Sequence, residues 1–368
     1  MSWKEVLLGD ILSYEQPTRY IVESEDYNDS YQTPVLTAGK SFILGYTNEL
    51  DNIYENLPAI IFDDFTADSK FVDFPFKVKS SAMKILTCDP EKVDIRFAFY
   101  LMQTLKVDTE QHKRYWISKF TNISVPLPPL PIQKRIAEIL DAADALRKKD
   151  QELLKKYDEL AQAIFIEMFG DPVKNEKGWE VKRFDELGTL DRGVSKHRPR
   201  NATELLGGKY PLIQTGDVAN SRGLITSFKS TYSELGLKQS KMWKKGTLCI
   251  TIAANIAKTG ILDFDACFPD SVVGFTANED FSNSIYVQSW LGFLQKTLED
   301  NAPESAQKNI NLEILRGLQV PCPPINLQKE YRTIVTNIAR QKDRLKTNST
   351  PLLFDSIMQM TFSGELIS

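Results

Sequence analysis

Soft metal ligands are scarce in this chain: two histidines and four cysteines in 368 residues. Cys88, Cys249, Cys267 and Cys322 stand far apart with no Cys-x-x-Cys spacing, which speaks against structural zinc and for reduced thiols in a cytoplasmic protein. No 18 apolar residues follow one another, and the opening Met1-Ser2-Trp3-Lys4-Glu5 carries an acid, so neither a membrane span nor a secretion signal is expected. An excess of positive charge is missing too. Lys plus Arg is 45 against 49 for Asp plus Glu, a formal net charge of -4, so any argument for nucleic acid must come from local patches. Enzyme motifs are equally sparse. There is no Gly-x-Gly-x-x-Gly and no Asp/Asn-Pro-Pro-aromatic string, which leaves dinucleotide binding and amino-methyl transfer without a visible site. Gly39-Lys40-Ser41 imitates the tail of a phosphate-binding loop, but Pro34 stands where that loop needs its first small residue. With two histidines, no Ser/His/Asp trio can be argued from order.

What is present is an ordinary globular composition, 42% hydrophobic and 26% charged, in a chain long enough for two core-bearing domains. The chain is also written twice. Val125-Pro126-Leu127-Pro128-Pro129-Leu130-Pro131-Ile132-Gln133-Lys134 returns as Val320-Pro321-Cys322-Pro323-Pro324-Ile325-Asn326-Leu327-Gln328-Lys329. Leu160 to Phe169 returns as Leu353 to Phe362, and the Trp3 to Leu12 stretch as Trp179 to Leu187. Three matches in the same order indicate a tandem duplication. The first parts of the two copies differ most, and the second copy is the longer there.

Each copy reads as a globular segment, a proline stop and a long helix. From Ile132 the apolar positions Ile136, Ile139, Ala143, Leu146, Leu153, Tyr157, Leu160 and Ile164 step by threes and fours, a heptad seam interrupted by Asp150. Unbroken to Met168, this helix would run about 55 Å. The second copy repeats the seam through Leu327, Tyr331, Ile334, Ile338, Leu345, Leu353 and Ile357, but Pro351 after Asn348-Ser349-Thr350 should kink or break it. A seam without a partner would expose a long stripe, so the two helices are expected to pack together, antiparallel. β-rich runs at Ala59-Ile60-Ile61-Phe62, at 246–252 and at 271–275, with helical stretches at 96–104 and 284–298, make the globular parts α+β. The expected division is a first domain over 1–130, a first helix over 131–172, a second domain over 173–324 and a second helix over 325–368.

Asp171 with Glu180-Val181-Lys182 has the spacing of a Mg²⁺ nuclease, but the matching Trp3-Lys4-Glu5-Val6 lacks it, and a surface strand is the plainer reading. Local charge points elsewhere. Arg192, Lys196, Arg198, Arg200 and Lys209 face Glu204 alone, with His197 among them, and Lys238, Lys241, Lys244 and Lys245 enclose Trp243. Such runs suit phosphate contact. In the first domain Lys113, Arg114 and Tyr115 form the corresponding candidate, in an otherwise acidic segment. Gln307, Lys308, Asn309 and Asn311, just before the second proline string, offer together the kind of hydrogen-bonding side chains that base reading uses, with a capping or turn role as the equal alternative.

In order and duplication, these strings, with Phe169-Gly170-Asp171-Pro172-Val173 and Lys177-Gly178-Trp179 between the copies, resemble the specificity subunit of type I restriction-modification enzymes. The resemblance implies two target recognition domains, each reading one half of a bipartite site in double-stranded DNA. It also implies paired central helices that set the gap and dock methyltransferase subunits. The chain would then be non-catalytic, with S-adenosylmethionine, ATP and Mg²⁺ held by its methyltransferase and restriction/translocase partners. A specificity subunit of a related restriction system, a coiled-coil scaffold that binds only protein, and a metal-dependent nuclease using Glu180 and Lys182 remain the other readings of the same residues.

Overall fold

A computed structural model describes residues 3–37, 41–105, 115–253, 257–300, 311–347 and 350–362. The chain forms two compact units, Met1–Glu152 with Lys346–Ser368, and Leu153–Leu345.

In the first unit, an antiparallel sheet runs in the order Ser13–Glu15, Met83–Thr87, Ala59–Asp63, Ser69–Val72. The Ala59–Asp63 strand is buried on both faces, which explains its unbroken apolar run. Ile60 and Phe62 face one cluster, and Ala59 and Ile61 face another with Leu36, Phe76 and Val78. Helix Ile95–Thr104 covers the first face through Phe97, Ala98 and Leu101. The same cluster takes in Ile136, Ala137 and Leu140 from the long helix Leu130–Phe169, and Phe354 and Met358 from the last helix, Thr350–Phe362. A three-stranded sheet, Ile43–Thr47, Thr33–Leu36, Lys77–Val78, completes the unit.

Among the described residues, the second unit has more strands around the same frame. Five order as Gly188–Arg192, Val272–Ala277, Leu248–Thr251, Thr259–Leu262, Gly223–Ile225, and four as Ser230–Tyr232, Leu206–Leu212, Ala266–Cys267, Met242–Trp243. Helix Ser284–Asp300 packs Tyr286, Val287, Trp290 and Leu291 on Leu248, Ile250 and Phe275. Phe165 and Phe169 of the long helix and Tyr331 of helix Ile325–Thr347 join them.

The expected helix pairing is present in both units. In the second, Lys342 pairs with Asp158, while Tyr331 meets Phe165 at 5.6 Å and Phe169 at 5.2 Å, so numbers rise along one helix as they fall along the other. In the first, the Arg147 guanidinium lies 4.6 Å from the Phe354 ring centroid. The second copy's helical stretch forms two helices, with Pro351 in the first turn of the second, where its missing N–H costs nothing. The seam is covered only in part. Leu146, Leu153 and Leu160 are exposed at 46%, 39% and 46%, so the middle of the long helix keeps apolar surface that no described residue covers.

Candidate nucleic-acid interface and the frame that carries it

Each globular part is closed where its chain enters and leaves. Lys4–Leu7 pairs antiparallel with Ser124–Leu127, and Val181–Arg183 with Gln319–Pro321. The proline string follows directly, and its glutamine is the lock. Gln133 is fully buried; its amide donates to the carbonyls of Lys92 (3.1 Å) and Pro128 (2.8 Å), and its Oε1 accepts from Asp94 N–H (2.9 Å). Gln328, also fully buried, donates to the carbonyls of Phe281 (2.9 Å) and Pro323 (2.8 Å) and accepts from Asn283 N–H (3.3 Å). Asp94 and Asn283 are in turn the caps of the helices that follow, accepting from Phe97 N–H and Tyr286 N–H through Oδ1. One side chain thus ties the loop before the domain's helix to the start of the long helix, twice over.

The turn between the copies has a capping role. Asp171 Oδ1 accepts from Val173 N–H (2.8 Å) and Lys174 N–H (3.0 Å), and these bonds hold its carboxyl below the usual range. Trp179 Nε1 donates to the Phe169 carbonyl (2.8 Å) and Lys177 Nζ to that of Met168 (3.1 Å), which satisfies carbonyls left open at the helix end. Gly170 at φ +80° makes the left-handed turn that starts this motif. Glu180 pairs with Lys182 at 2.8 Å, so the nuclease-like spacing serves a turn and a surface ion pair. Among the described residues no group of three or more His, Cys, Asp or Glu is placed to hold a metal. Burial pushes the Cys88 thiol up to about 11 and raises Cys249, Cys267 and Cys322, which leaves little thiolate for nucleophilic work.

The two basic runs of the second unit, distant in sequence, adjoin in space. Lys196 N–H donates to the Gln239 carbonyl (3.3 Å), His197 N–H to Gln239 Oε1 (3.0 Å), and Ser240 Oγ to the Val194 carbonyl (2.7 Å). The acids that sequence counting left out come with them. Asp270 pairs with Arg200 at 2.7 Å and Arg198 at 3.7 Å, Asp191 with Lys241 at 3.7 Å, Asp265 with Lys244 at 2.8 Å and Asp263 with Lys245 at 2.7 Å. Lys196 is exposed with no ion pair among the described residues. The surface is therefore mostly one of exposed, exchangeable ion pairs, in which Arg198, Arg200, Lys241, Lys244 and Lys245 are each tied to an acid at a cost of at most about 1 kcal/mol to release.

Two aromatic candidates leave the contact set. Trp243 is 4% exposed, stacked on Phe268 at 4.8 Å with Lys241 Nζ 3.9 Å from its centroid, and Tyr115 is 1% exposed. Both rings serve cores, because a large apolar side chain gains more from burial than a neighbouring lysine costs. Lys113, Arg114, Gln307, Lys308 and Asn309 lie outside the described residues, as do Gly39 and Lys40 of the phosphate-loop look-alike.

The sequence reading missed a buried ion pair in the first unit. Lys84 Nζ lies 3.3 Å from Asp64 Oδ2, with both side chains at most 3% exposed. Asp64 Oδ1 also accepts from Trp116 N–H (2.9 Å), and the Asp64 carbonyl from Tyr115 N–H (3.1 Å). The local signal was ambiguous, since Lys84 interrupts an otherwise apolar strand.

Comparison with known proteins gives a consistent answer. The family described as "Type I restriction modification DNA specificity domain" matches residues 1–156 and again 176–351. A type I restriction enzyme specificity subunit of Escherichia coli, EcoR124I/EcoR124II, is 50% identical, over 89% of this chain and 84% of that one. Among solved structures, a type I restriction-modification S subunit from M. genitalium matches with a TM-score of 0.66 at 15% identity, covering 98% of this chain and 96% of that one. A chain from a study of complex assembly and conformational transition of the type I restriction-modification system matches at 0.55 and 17%, covering 99% and 98%.

Proposed function

The chain belongs to the DNA specificity subunits of type I restriction-modification systems, with two tandem recognition domains, and on that premise we propose how it divides its work. Each recognition domain reads one half of a bipartite, asymmetric site in double-stranded DNA. The paired helices set the gap and dock methyltransferase subunits. Those partners and the restriction/translocase subunits hold S-adenosylmethionine, ATP and Mg²⁺, and the chain itself is non-catalytic and cytoplasmic. The observation that carries this reading is the repeated glutamine clamp: one frame, built twice, holds two domains whose strand inventories differ. Equal frames with unequal inserts suit reading of two unequal half-sites. The half-covered Leu153 and Leu160 supply apolar surface for docking.

Lys196, Arg198, Arg200, Lys241, Lys244 and Lys245 are proposed as phosphate contacts of the second domain, and Lys113 and Arg114 as those of the first. Gln307, Lys308 and Asn309 are proposed as contacts near the bases. Exposed ion pairs such as Lys244–Asp265 exchange cheaply for phosphate. Replacing Lys241, Lys244 and Lys245 by alanine is expected to weaken binding to every duplex alike and to lower the slope of log K against log salt by about 0.9 for each lost contact. A fluorescence-anisotropy titration across salt concentrations checks this; an unchanged slope removes the patch from the interface.

A further inference from the structure

At one end of each domain's sheet the two copies build the same kind of turn. In the first unit Glu15 stands opposite Ile85, and Ile85 opposite Ile61. In the second, Asp191 stands opposite Gly274, and Gly274 opposite Cys249. Glu15 and Asp191 are separated by the same offset as Trp3 and Trp179, so the two sheets share one register and the end where Ala59–Asp63 finishes corresponds to the end where Leu248–Thr251 finishes. In the second domain that end carries proposed phosphate contacts. Arg192 leads from it into the basic run, and Asp270, the partner of Arg198 and Arg200, precedes Ser271, whose carbonyl accepts from Ile252 N–H (3.1 Å). In the first domain it carries the turn from Asp64 to Asp68, with Asp64 N–H donating to the Ala82 carbonyl (3.4 Å).

This turn is fixed from within. The buried Asp63 carboxylate accepts from Phe65 N–H (2.8 Å) and Thr66 N–H (3.3 Å), and the Asp63 carbonyl accepts from Ala67 N–H (2.9 Å). Ala257 N–H likewise donates to the carbonyl of Thr251, the register equivalent of Asp63 (2.9 Å). Both alanines are left-handed, Ala67 at φ +61° and Ala257 at φ +56°. Alanine is strained there because its Cβ crowds a carbonyl oxygen, and glycine would be free of that strain. Each alanine instead packs on the core of its domain, which fastens the loop and leaves the tip outside. At the tip of the first domain's turn stands Phe65, 47% exposed. A single exposed ring is ordinary on a protein surface. This one sits on a fixed backbone, among acids that are already engaged: Asp63 holds the turn, Asp64 holds Lys84 and Trp116 N–H, and Asp68 pairs with Lys70 at 3.1 Å. The string Asp63-Asp64-Phe65-Thr66-Ala67-Asp68 reads as hostile to DNA, yet it folds with each carboxylate occupied within the domain and the ring exposed.

We propose that Phe65 reads a thymine of the first domain's half-site, its ring lying against the C5-methyl group in the major groove. The inference rests on the reading that this domain binds double-stranded DNA. A phenyl ring has no hydrogen bond to give, and the thymine methyl is the apolar feature among the base edges of that groove, so the contact distinguishes base pairs without hydrogen bonding. A turn locked in advance suits the task, because little of the gain is lost to ordering the loop. In the second copy the string between the equivalent strands, Ile252 to Lys258, is two residues longer and has no aromatic residue, so this contact belongs to one half-site alone.

The test uses the full chain assembled with its methyltransferase subunits, and the duplex that the complex selects from a random library, with deoxyuridine placed at each thymine in turn. Deoxyuridine pairs as thymine does and lacks only the methyl. The wild-type complex is expected to lose about fourfold in affinity at one thymine of one half-site, the worth of burying one methyl group. The Phe65→Ala complex should bind the thymine and deoxyuridine forms of that position equally, and every other thymine should give the same ratio in both. Phe65→Leu, which keeps apolar bulk, should retain most of the discrimination, and an unchanged melting temperature in both variants separates the effect from misfolding. Identical deoxyuridine profiles for wild type and Phe65→Ala would overturn the contact while DNA recognition stands. A wild type indifferent to every deoxyuridine, with Phe65→Ala weaker on all duplexes, would make the ring a wedge between base steps and overturn it as well. If the wild-type complex selects no duplex, the recognition reading falls, and the contact with it.

Discussion

Gln133→Ala is expected to destabilise the first unit by about 3 kcal/mol, and Gln328→Ala the second by a similar amount. Each glutamine side chain satisfies three backbone groups at zero exposure, two carbonyls and one N–H. Truncation leaves those groups without a partner, at roughly 1–3 kcal/mol for each that no water reaches. For units of this size the loss corresponds to a fall in Tm of about 6–12 °C. Calorimetry on the full chain reads it, and the substitution in one unit should leave the transition of the other nearly unmoved. Glutamate at either position is no remedy, because it keeps the acceptor for Asp94 or Asn283 and brings two carbonyls against a carboxylate. A loss below about 1 kcal/mol in both variants would show that the clamp is incidental to the frame.

Asp64→Ala should cost the first unit about 3–5 kcal/mol, since removing one partner of a buried pair leaves the other charge uncompensated. Lys84 has nowhere to take its ammonium, with its side chain 2% exposed. Trp116 N–H loses its acceptor in the same step. The pair is expected to be replaceable as a whole. Combining Asp64→Leu with Lys84→Met should recover most of the loss, because well-packed apolar substitutes for a buried pair are commonly neutral or stabilising. Urea unfolding of Asp64→Leu alone, Lys84→Met alone and the double variant closes the cycle. A double variant no more stable than Asp64→Ala would mean that the hydrogen bond to Trp116, not the charge pair, holds this corner of the domain.

How far the structure could be read in advance depended on whether the determinants were local. The duplication, the proline stops and the buried strand at Ala59–Asp63 all leave marks within ten residues, and helix Leu130–Phe169 follows its seam without interruption. The same seam does not say that the helix serves two units, with Ile136 in one core and Phe165 in the other. Nor does it say that Leu153 stays half exposed. The basic runs were visible because lysines cluster along the chain, whereas Asp191, Asp263, Asp265 and Asp270 reach them only through tertiary structure. Trp243 and Tyr115, set among cations, read as contacts and fold as core. Gln133 is one letter that the two proline strings share; its three backbone partners come from a loop some forty residues earlier and from the proline stop itself.

The central claim is that two dissimilar domains on one repeated frame read two half-sites at a set spacing. Selection from a random duplex library tests it most directly, using the purified chain together with its methyltransferase subunits near physiological salt. The account predicts enrichment of an asymmetric bipartite motif with a constant gap. Enrichment of one contiguous motif, or none with the complex folded and assembled, would contradict it.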